Sequence, residues 1–239
     1  MSKPYRLAII TSDKYIRALR PFAALLERYW PDGPDVVVGG YTEPDFQLPP
    51  NWTFHSIGRF EDYPVQRWSD GLIKFLLEIP DDVVMLALED MWPIRPVFAP
   101  VVDMAYDYMQ QFHYVARFDL TSDRQFAGGA SFYGKMGGVN LILSHPDSPY
   151  HLSAMPAFWR KEHLLRVLVP NETPWDVEIS GTPRLSALRN EVIVLGTDAH
   201  PYRNCLAFRG GDTNKLLLNE VDPLDVIALR EAGMFEGLE

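Results

Sequence analysis

Val83-Val84-Met85-Leu86-Ala87-Leu88 is an unbroken apolar run that ends in the acidic pair Glu89-Asp90, followed by Met91-Trp92-Pro93. A short run of this kind reads as a strand buried on both faces, as in the middle of a parallel sheet. Open α/β sheets bind their ligands at the carboxyl ends of such strands. The acidic pair therefore falls where a ligand is expected. A buried carboxylate without a partner is costly, so two adjacent ones call for a metal ion, a cationic group or water. The pair reads as a divalent-metal site for a phosphorylated ligand or, more plainly, as a strand end that reaches solvent.

The flanking sequence supplies the rest of a sheet. Residues 7–10 form a short β-like run. Tyr15, Leu19, Phe22, Leu25 and Leu26 then recur at helical spacing, and Pro31-Asp32-Gly33-Pro34 stops that helix. Residues 35–40 are the next strand, and a strand–helix–strand crossover implies parallel pairing. Residues 52–57 alternate as a strand does. A helix capped by Ser69 runs through Leu72, Phe75, Leu76 and Ile79 into the acidic-ended strand. Further on, the pattern predicts a helix over 103–112, a strand over 114–118, and a hairpin or mobile loop between Gly128-Gly129 and Gly137-Gly138. It then predicts a helix over 158–168, a strand over 192–195 and a terminal helix over 222–238. The alternation predicts an α/β, Rossmann-like fold with a mostly parallel central sheet flanked by helices and a less regular C-terminal region. One domain over 1–239 is expected, with a nucleotide-binding half (1–100) and an acceptor-binding half (101–239).

The chain has 239 residues, 47% of them hydrophobic and 23% charged, which suits a globular protein with a large core. A net charge of -10 argues against general nucleic-acid binding, which needs a concentrated basic surface. Cys205 is the single cysteine, so no intrachain disulfide can form. No stretch approaches the length of a membrane span, and no signal peptide is read at the N-terminus. A cytoplasmic location is the expectation.

Four further groups carry chemistry. Thr11-Ser12-Asp13 follows the first strand and can hold a base, ribose or phosphate, or simply cap a helix. Trp68-Ser69-Asp70 offers a ring, a hydroxyl and a carboxylate to a nucleoside, or again a cap. Pro174-Trp175-Asp176-Val177-Glu178 and the preceding Trp159 suit a sugar: rings stack on a pyranose and a carboxylate serves as general base. Thr173 and Pro174 also read as a helix start, with the acids favouring its dipole. In the last group, His200 can complete a metal shell, and Arg203 and Arg209 can offset pyrophosphate charge. Mg²⁺ or Mn²⁺ suits the oxygen ligands of Glu89-Asp90, with Asp90 the favoured direct ligand. No Gly-x-Gly-x-x-Gly or Walker loop is present.

Taken in order, Trp68-Ser69-Asp70, Leu88-Glu89-Asp90-Met91, residues 152–162 (Leu-Ser-Ala-Met-Pro-Ala-Phe-Trp-Arg-Lys-Glu) and Pro174-Trp175-Asp176-Val177-Glu178 resemble a family of bacterial and viral GT-A-type glycosyltransferases. The resemblance implies a nucleotide-sugar donor near Thr11, Ser12 and Asp70, and Mn²⁺ or Mg²⁺ at Asp90. It also implies a glycan or other hydroxyl acceptor at Trp175 and Glu178. Glu89-Asp90-Met91 departs from the usual Asp-x-Asp pattern, and both Asp176 and Glu178 qualify as base. The expected activity is transfer of a sugar from a nucleotide-diphosphate-sugar to a hydroxyl, in bacterial surface-glycan synthesis. A lipid-linked acceptor would be met by peripheral membrane contact. The alternatives are a carbohydrate- or nucleotide-binding protein without catalysis and, less favoured, a nucleotidyltransferase or phosphate-ester hydrolase.

Overall fold

The computed structural model describes residues 3–209, 212–213, 217–236 and 238. Its centre is a nine-stranded sheet. In chain order the strands are β1 (Arg6–Ile10), β2 (Asp35–Gly40), β3 (Trp52–Ser56) and β4 (Val83–Leu88). After β5 (Met91–Pro93), which lies outside the sheet, come β6 (Val115–Asp119), β7 (Ala130–Met136), β8 (Val139–Ser144), β9 (Ala157–Arg160) and β10 (Ile193–Thr197). The spatial order is β3-β2-β1-β4-β9-β6-β10-β8-β7. β1 pairs in parallel with β2 and β4, β2 with β3, and β6 with β10. β9 runs antiparallel between β4 and β6, so those two point the same way. The sheet is mostly parallel, as expected.

Helices cover both faces. α1 (Leu19–Tyr29), α3 (Ala99–Gln111) and α7 (Pro223–Glu231) pack one side, around Phe22, Trp92 and Phe158. α2 (Trp68–Glu78), α5 (Lys161–Val167) and α6 (Pro174–Ala187) pack the other, around Phe75, Trp159 and Leu164. A single turn, α4 (Asp123–Phe126), follows β6. β4 shows why its apolar run is continuous: Val83, Met85 and Ala87 face the first layer, while Val84 and Leu86 face the second.

Three local expectations change. Residues 157–160 are a strand, not the start of a helix, and only Lys161–Val167 are helical. Trp159 and its neighbours gain ladder bonds on both sides and full burial there. Thr11-Ser12-Asp13 does not cap a helix: α1 starts after a 3-10 turn, with Ala18 at its N-cap and no side-chain bond. Ser69 lies inside α2 and does not cap it; Arg67 holds the N-cap position. The hairpin is present, but the glycine pairs bound only β7: Gly137-Gly138 is the turn of the β7–β8 hairpin, with φ 53° and 92°. Leucine, or any bulkier residue, would be strained at such angles.

Candidate active site at the carboxyl edge

The carboxyl ends of β1, β2, β4, β6 and β10 open along one edge of the sheet. Glu89 and Asp90 form the turn between β4 and β5. β5 folds back onto β11 (Asn204–Leu206), and the Asp90 carbonyl accepts the N–H of Ala207 at 2.7 Å. The Trp92 indole donates to the Glu89 carbonyl at 3.1 Å. These bonds fix the backbone of the pair and leave its carboxylates uncompensated. Burial, then the neighbouring Asp90 charge, pushes Glu89 well above the usual carboxylate range. Burial pushes Asp90 up to about 6. Asp90 Oδ1 is buried without a hydrogen-bond partner. Two acids that resist ionisation, one with an orphaned oxygen, fit a divalent cation whose remaining ligands come from phosphate and water. Among the described residues no group of three His, Cys, Asp or Glu side chains converges to form a complete protein cage.

His200 is accordingly not brought to Asp90 as a metal ligand. It sits at φ 43°, with Nε2 2.5 Å from Gln125 Oε1. Burial, then the charge of Arg203, lowers its pKa, while Asp198 and Asp119 act in the opposite direction. The Arg209 side chain and Gly210-Gly211 lie outside the described residues.

The nucleotide-side residues occupy the same edge. Thr11 is buried after β1, and its N–H donates to the Gly39 carbonyl at 2.9 Å. Ser12 accepts the Tyr15 N–H at 2.9 Å through its carbonyl. Asp13 takes the Thr42 N–H (3.0 Å) and hydroxyl (2.8 Å), tying the loop after β1 to the loop after β2. Ser69 and Asp70 have a different job from the one expected. Ser69 Oγ accepts the Glu172 N–H at 3.0 Å, and Asp70 accepts the Asn171 N–H at 2.7 Å while pairing with Arg67. They clip the start of α2 to the loop that launches α6. Trp68 beside them packs half-buried against the core.

On the acceptor side the candidate residues separate. Asp176 closes a capping box with Thr173 and is held below the usual range by the Thr173 hydroxyl and N–H, so its bonds are those of a helix cap. Glu178 lies two residues on and points to the 153–155 loop. Its Oε1 accepts the Ala154 N–H at 2.7 Å. Burial raises its pKa, against the lowering effects of that bond and of Arg117. Trp175 is 61% exposed beside it. Trp159 is 1% exposed in the sheet, its ring 5.5 Å from the Arg117 guanidinium; it is a core residue and no stacking platform.

A charged cluster unforeseen in the sequence lies under Glu178. Arg117 and Asp119, two apart on β6, are both 0% exposed, with Nη2 2.8 Å from Oδ2. The contact is an ion pair without hydrogen-bond alignment, since that oxygen has no hydrogen-bond partner. Asp119 Oδ1 accepts the Thr121 N–H and hydroxyl, each at 2.7 Å. Arg124 reaches Asp119 at 3.5 Å, Asp123 at 2.5 Å and Ser144 Oγ at 3.3 Å. Ser144 Oγ meets His151 Nδ1 at 3.0 Å, and burial lowers the His151 pKa to about 4. The available signal was Arg117-Phe118-Asp119 itself: two charges on one face of a strand that is otherwise apolar.

No protein-family model matches the sequence, and comparison with curated proteins gives no match. Solved structures do match in fold. UTP-bound UGPase from Acinetobacter baumannii is 10% identical with a TM-score of 0.52, over 98% of this chain and 99% of that one. S. aureus TarS is 13% identical with a TM-score of 0.50, over 85% of this chain and 36% of that one. Glucosyl-3-phosphoglycerate synthase from Mycobacterium tuberculosis, in complex with Mn²⁺, UDP and glucosyl-3-phosphoglycerate, is 13% identical with a TM-score of 0.46, over 99% and 78%. The chain thus spans about a third of TarS. What is shared is the α/β, Rossmann-like architecture of GT-A type that the sequence led one to expect.

Proposed function

We propose that this protein transfers a sugar from a nucleotide-diphosphate-sugar to a hydroxyl on an acceptor. The observation that carries the proposal is the Glu89-Asp90 pair at the carboxyl end of a central strand, with Glu89 buried and one oxygen of the partly buried Asp90 orphaned. Asp90, helped by Glu89, would hold Mn²⁺ or Mg²⁺ against the diphosphate. When bound, the cation would neutralise charge on the departing nucleoside diphosphate. Thr11, Ser12 and Asp13 lie where the nucleoside half of the donor would sit, in the 1–100 half. Asp70, whose carboxylate takes the Asn171 N–H, would contribute a further contact to the nucleoside.

In the 101–239 half, Glu178 takes the acceptor proton. A half-buried carboxylate with a raised pKa suits a general base working near neutrality. Ala154 N–H holds one carboxylate oxygen in place and Ser153 lies within hydrogen-bonding reach, so the group is positioned for the incoming hydroxyl. Trp175 offers a ring face to the acceptor. With one base, a single inverting displacement is the simplest route. Asp176 is left as a cap. Bacterial surface-glycan synthesis in the cytoplasm is the setting this chemistry would serve; no helix among the described residues is long and apolar enough to cross a membrane.

The test is calorimetric titration with UDP-sugars and with other nucleoside-diphosphate sugars, with and without Mn²⁺. Metal-dependent donor binding that disappears in Asp90→Asn supports the proposal. Binding that ignores both the metal and Asp90 ends it. A sugar- or nucleotide-binding role without catalysis is the second reading, favoured by the lack of a third clustered ligand among the described residues. It predicts ligand binding with no release of nucleoside diphosphate in any acceptor mixture.

A further inference from the structure

We propose that the acceptor is a glycan chain rather than a single sugar, and that a seam between α6 and the 146–154 segment holds its distal units; this rests on Glu178 marking the reacting end. The two walls run antiparallel and are stitched at three points. Ala154 N–H donates to Glu178, Leu152 N–H donates to Thr182 Oγ1 at 3.2 Å, and Ser186 Oγ donates to the Pro146 carbonyl. From residue 178 to residue 186 the helix rises ~12 Å. Around the far stitch the surface of the seam carries an open depression of about 400 Å³, lined by Pro146, Asp147, Thr182, Pro183, Ser186 and Arg189 among others. That volume falls within the ~300–1,000 Å³ of small-molecule sites.

The lining suits a saccharide. Pro146 and Pro183 provide apolar surface for a ring face. Thr182 and Ser186 already spend their hydroxyl protons on backbone carbonyls. Asp147 and Arg189 are only loosely paired, at 3.9 Å, with side chains 70% and 59% exposed, so an acceptor group and a donor group remain available for hydroxyls. Pro183 has no N–H to give the Ile179 carbonyl, which frees that oxygen from the helical ladder on the same stretch of α6. Trp175 and Ile179, one turn apart and 61% and 63% exposed, continue the apolar ridge back to Glu178. A single pyranose at Glu178 would leave this surface unused. A chain of three or more units would reach it.

The experiment is binding to a printed array of neutral and acidic saccharides of one to six units, using wild type, Glu178→Gln and the double variant Asp147→Ala/Arg189→Ala. Both altered residues of the double variant are exposed, so the fold should survive; circular dichroism melting checks this. The expected result is that wild type and Glu178→Gln prefer chains of three or more units over the matching monosaccharide by at least tenfold. The double variant should lose that preference. Equal binding of short and long saccharides, a length preference that survives in the double variant, or no binding on the array overturns the proposal. Because Glu178→Gln is read by binding alone, failure of the seam is distinguishable from failure of Glu178 as base, which transfer assays report.

Discussion

Asp90 and Asp119 are acids at the ends of two strands, β4 and β6, that are separated in the sheet only by β9. Asp119 is fully buried and Asp90 partly so, and burial raises the pKa of both. Their neighbours differ. Each has one oxygen without a hydrogen-bond partner, but Asp119 faces the opposite charges of Arg117 and Arg124 and takes two bonds from Thr121, whereas Asp90 faces another acid, Glu89. The first cluster is compensated from within and is a structural unit. The second is a pair of adjacent acids with no basic partner beside it, the feature on which the proposed cation site rests. Burial of charge alone does not mark a site; burial of charge that the fold leaves unbalanced does.

The sharpest way to break that contrast is to remove one partner from each cluster. Asp119→Ala strands two buried guanidinium groups, and loss of one member of a buried pair typically costs about 3–5 kcal/mol. Urea unfolding should show that loss. Asp90→Asn without metal should instead be neutral or stabilising, because it removes a charge the fold does not satisfy. If both substitutions destabilise alike, the two clusters do the same work and Asp90 is structural.

The next effect is a pH dependence. The folded pKa of Asp90 lies at about 6, above that of an unfolded aspartate, and Glu89 is raised as well. Groups raised in this way stabilise the fold below their unfolded pKa, and that contribution is lost as pH rises through the folded value. Metal-free wild type should therefore lose up to roughly 3 kcal/mol between pH 4 and 6, at about 1.4 kcal/mol per pKa unit. Asp90→Asn should flatten that part of the profile. Adding Mn²⁺ with a nucleoside diphosphate at pH 7 should restore stability by linkage, about 2.7 kcal/mol at a hundredfold excess over Kd. Thermal melts read this, and in Asp90→Asn the gain should vanish.

The same contrast explains what the sequence let one see. The Glu89-Asp90 turn was legible because an apolar strand ends in two like charges, a pattern visible in one window of sequence. The β1–β4 half was legible because its crossovers are local. β9 was not: Phe158-Trp159-Arg160-Lys161-Glu162 is apolar then charged, as a helix start can be. Only the empty slot between β4 and β6, filled from far along the chain, makes it a strand. Trp159 was misplaced for the same reason, since an aromatic beside charged residues looks like a sugar platform until its two neighbouring strands are known. The Arg117–Asp119–Arg124–Ser144–His151 cluster joins residues from four separate segments, and only the Arg117-Phe118-Asp119 strand gives a sign of it on its own.

The smallest effect tests the contrast within one helix. Asp176 and Glu178 both sit in the first turns of α6, and either qualified as base from the sequence. Asp176 has its bonding satisfied by Thr173, at 3.1 Å from the N–H and 2.7 Å from the hydroxyl. Asp176→Ala removes the N3 half of the capping box and should therefore lower the melting temperature slightly and leave turnover unchanged. Glu178 is fixed at one oxygen and raised by burial, so Glu178→Gln keeps an acceptor for the Ala154 N–H and should leave stability within ~0.5 kcal/mol. Its effect belongs in kcat, and a general base contributes about 10²–10⁴-fold. Measuring melting temperature and turnover on the two variants separates the roles: stability should fall in one and rate in the other. A turnover loss in Asp176→Ala matched by none in Glu178→Gln would reverse the assignment, and would mean that a fully bonded cap, two residues nearer the helix start, is the group that meets the acceptor.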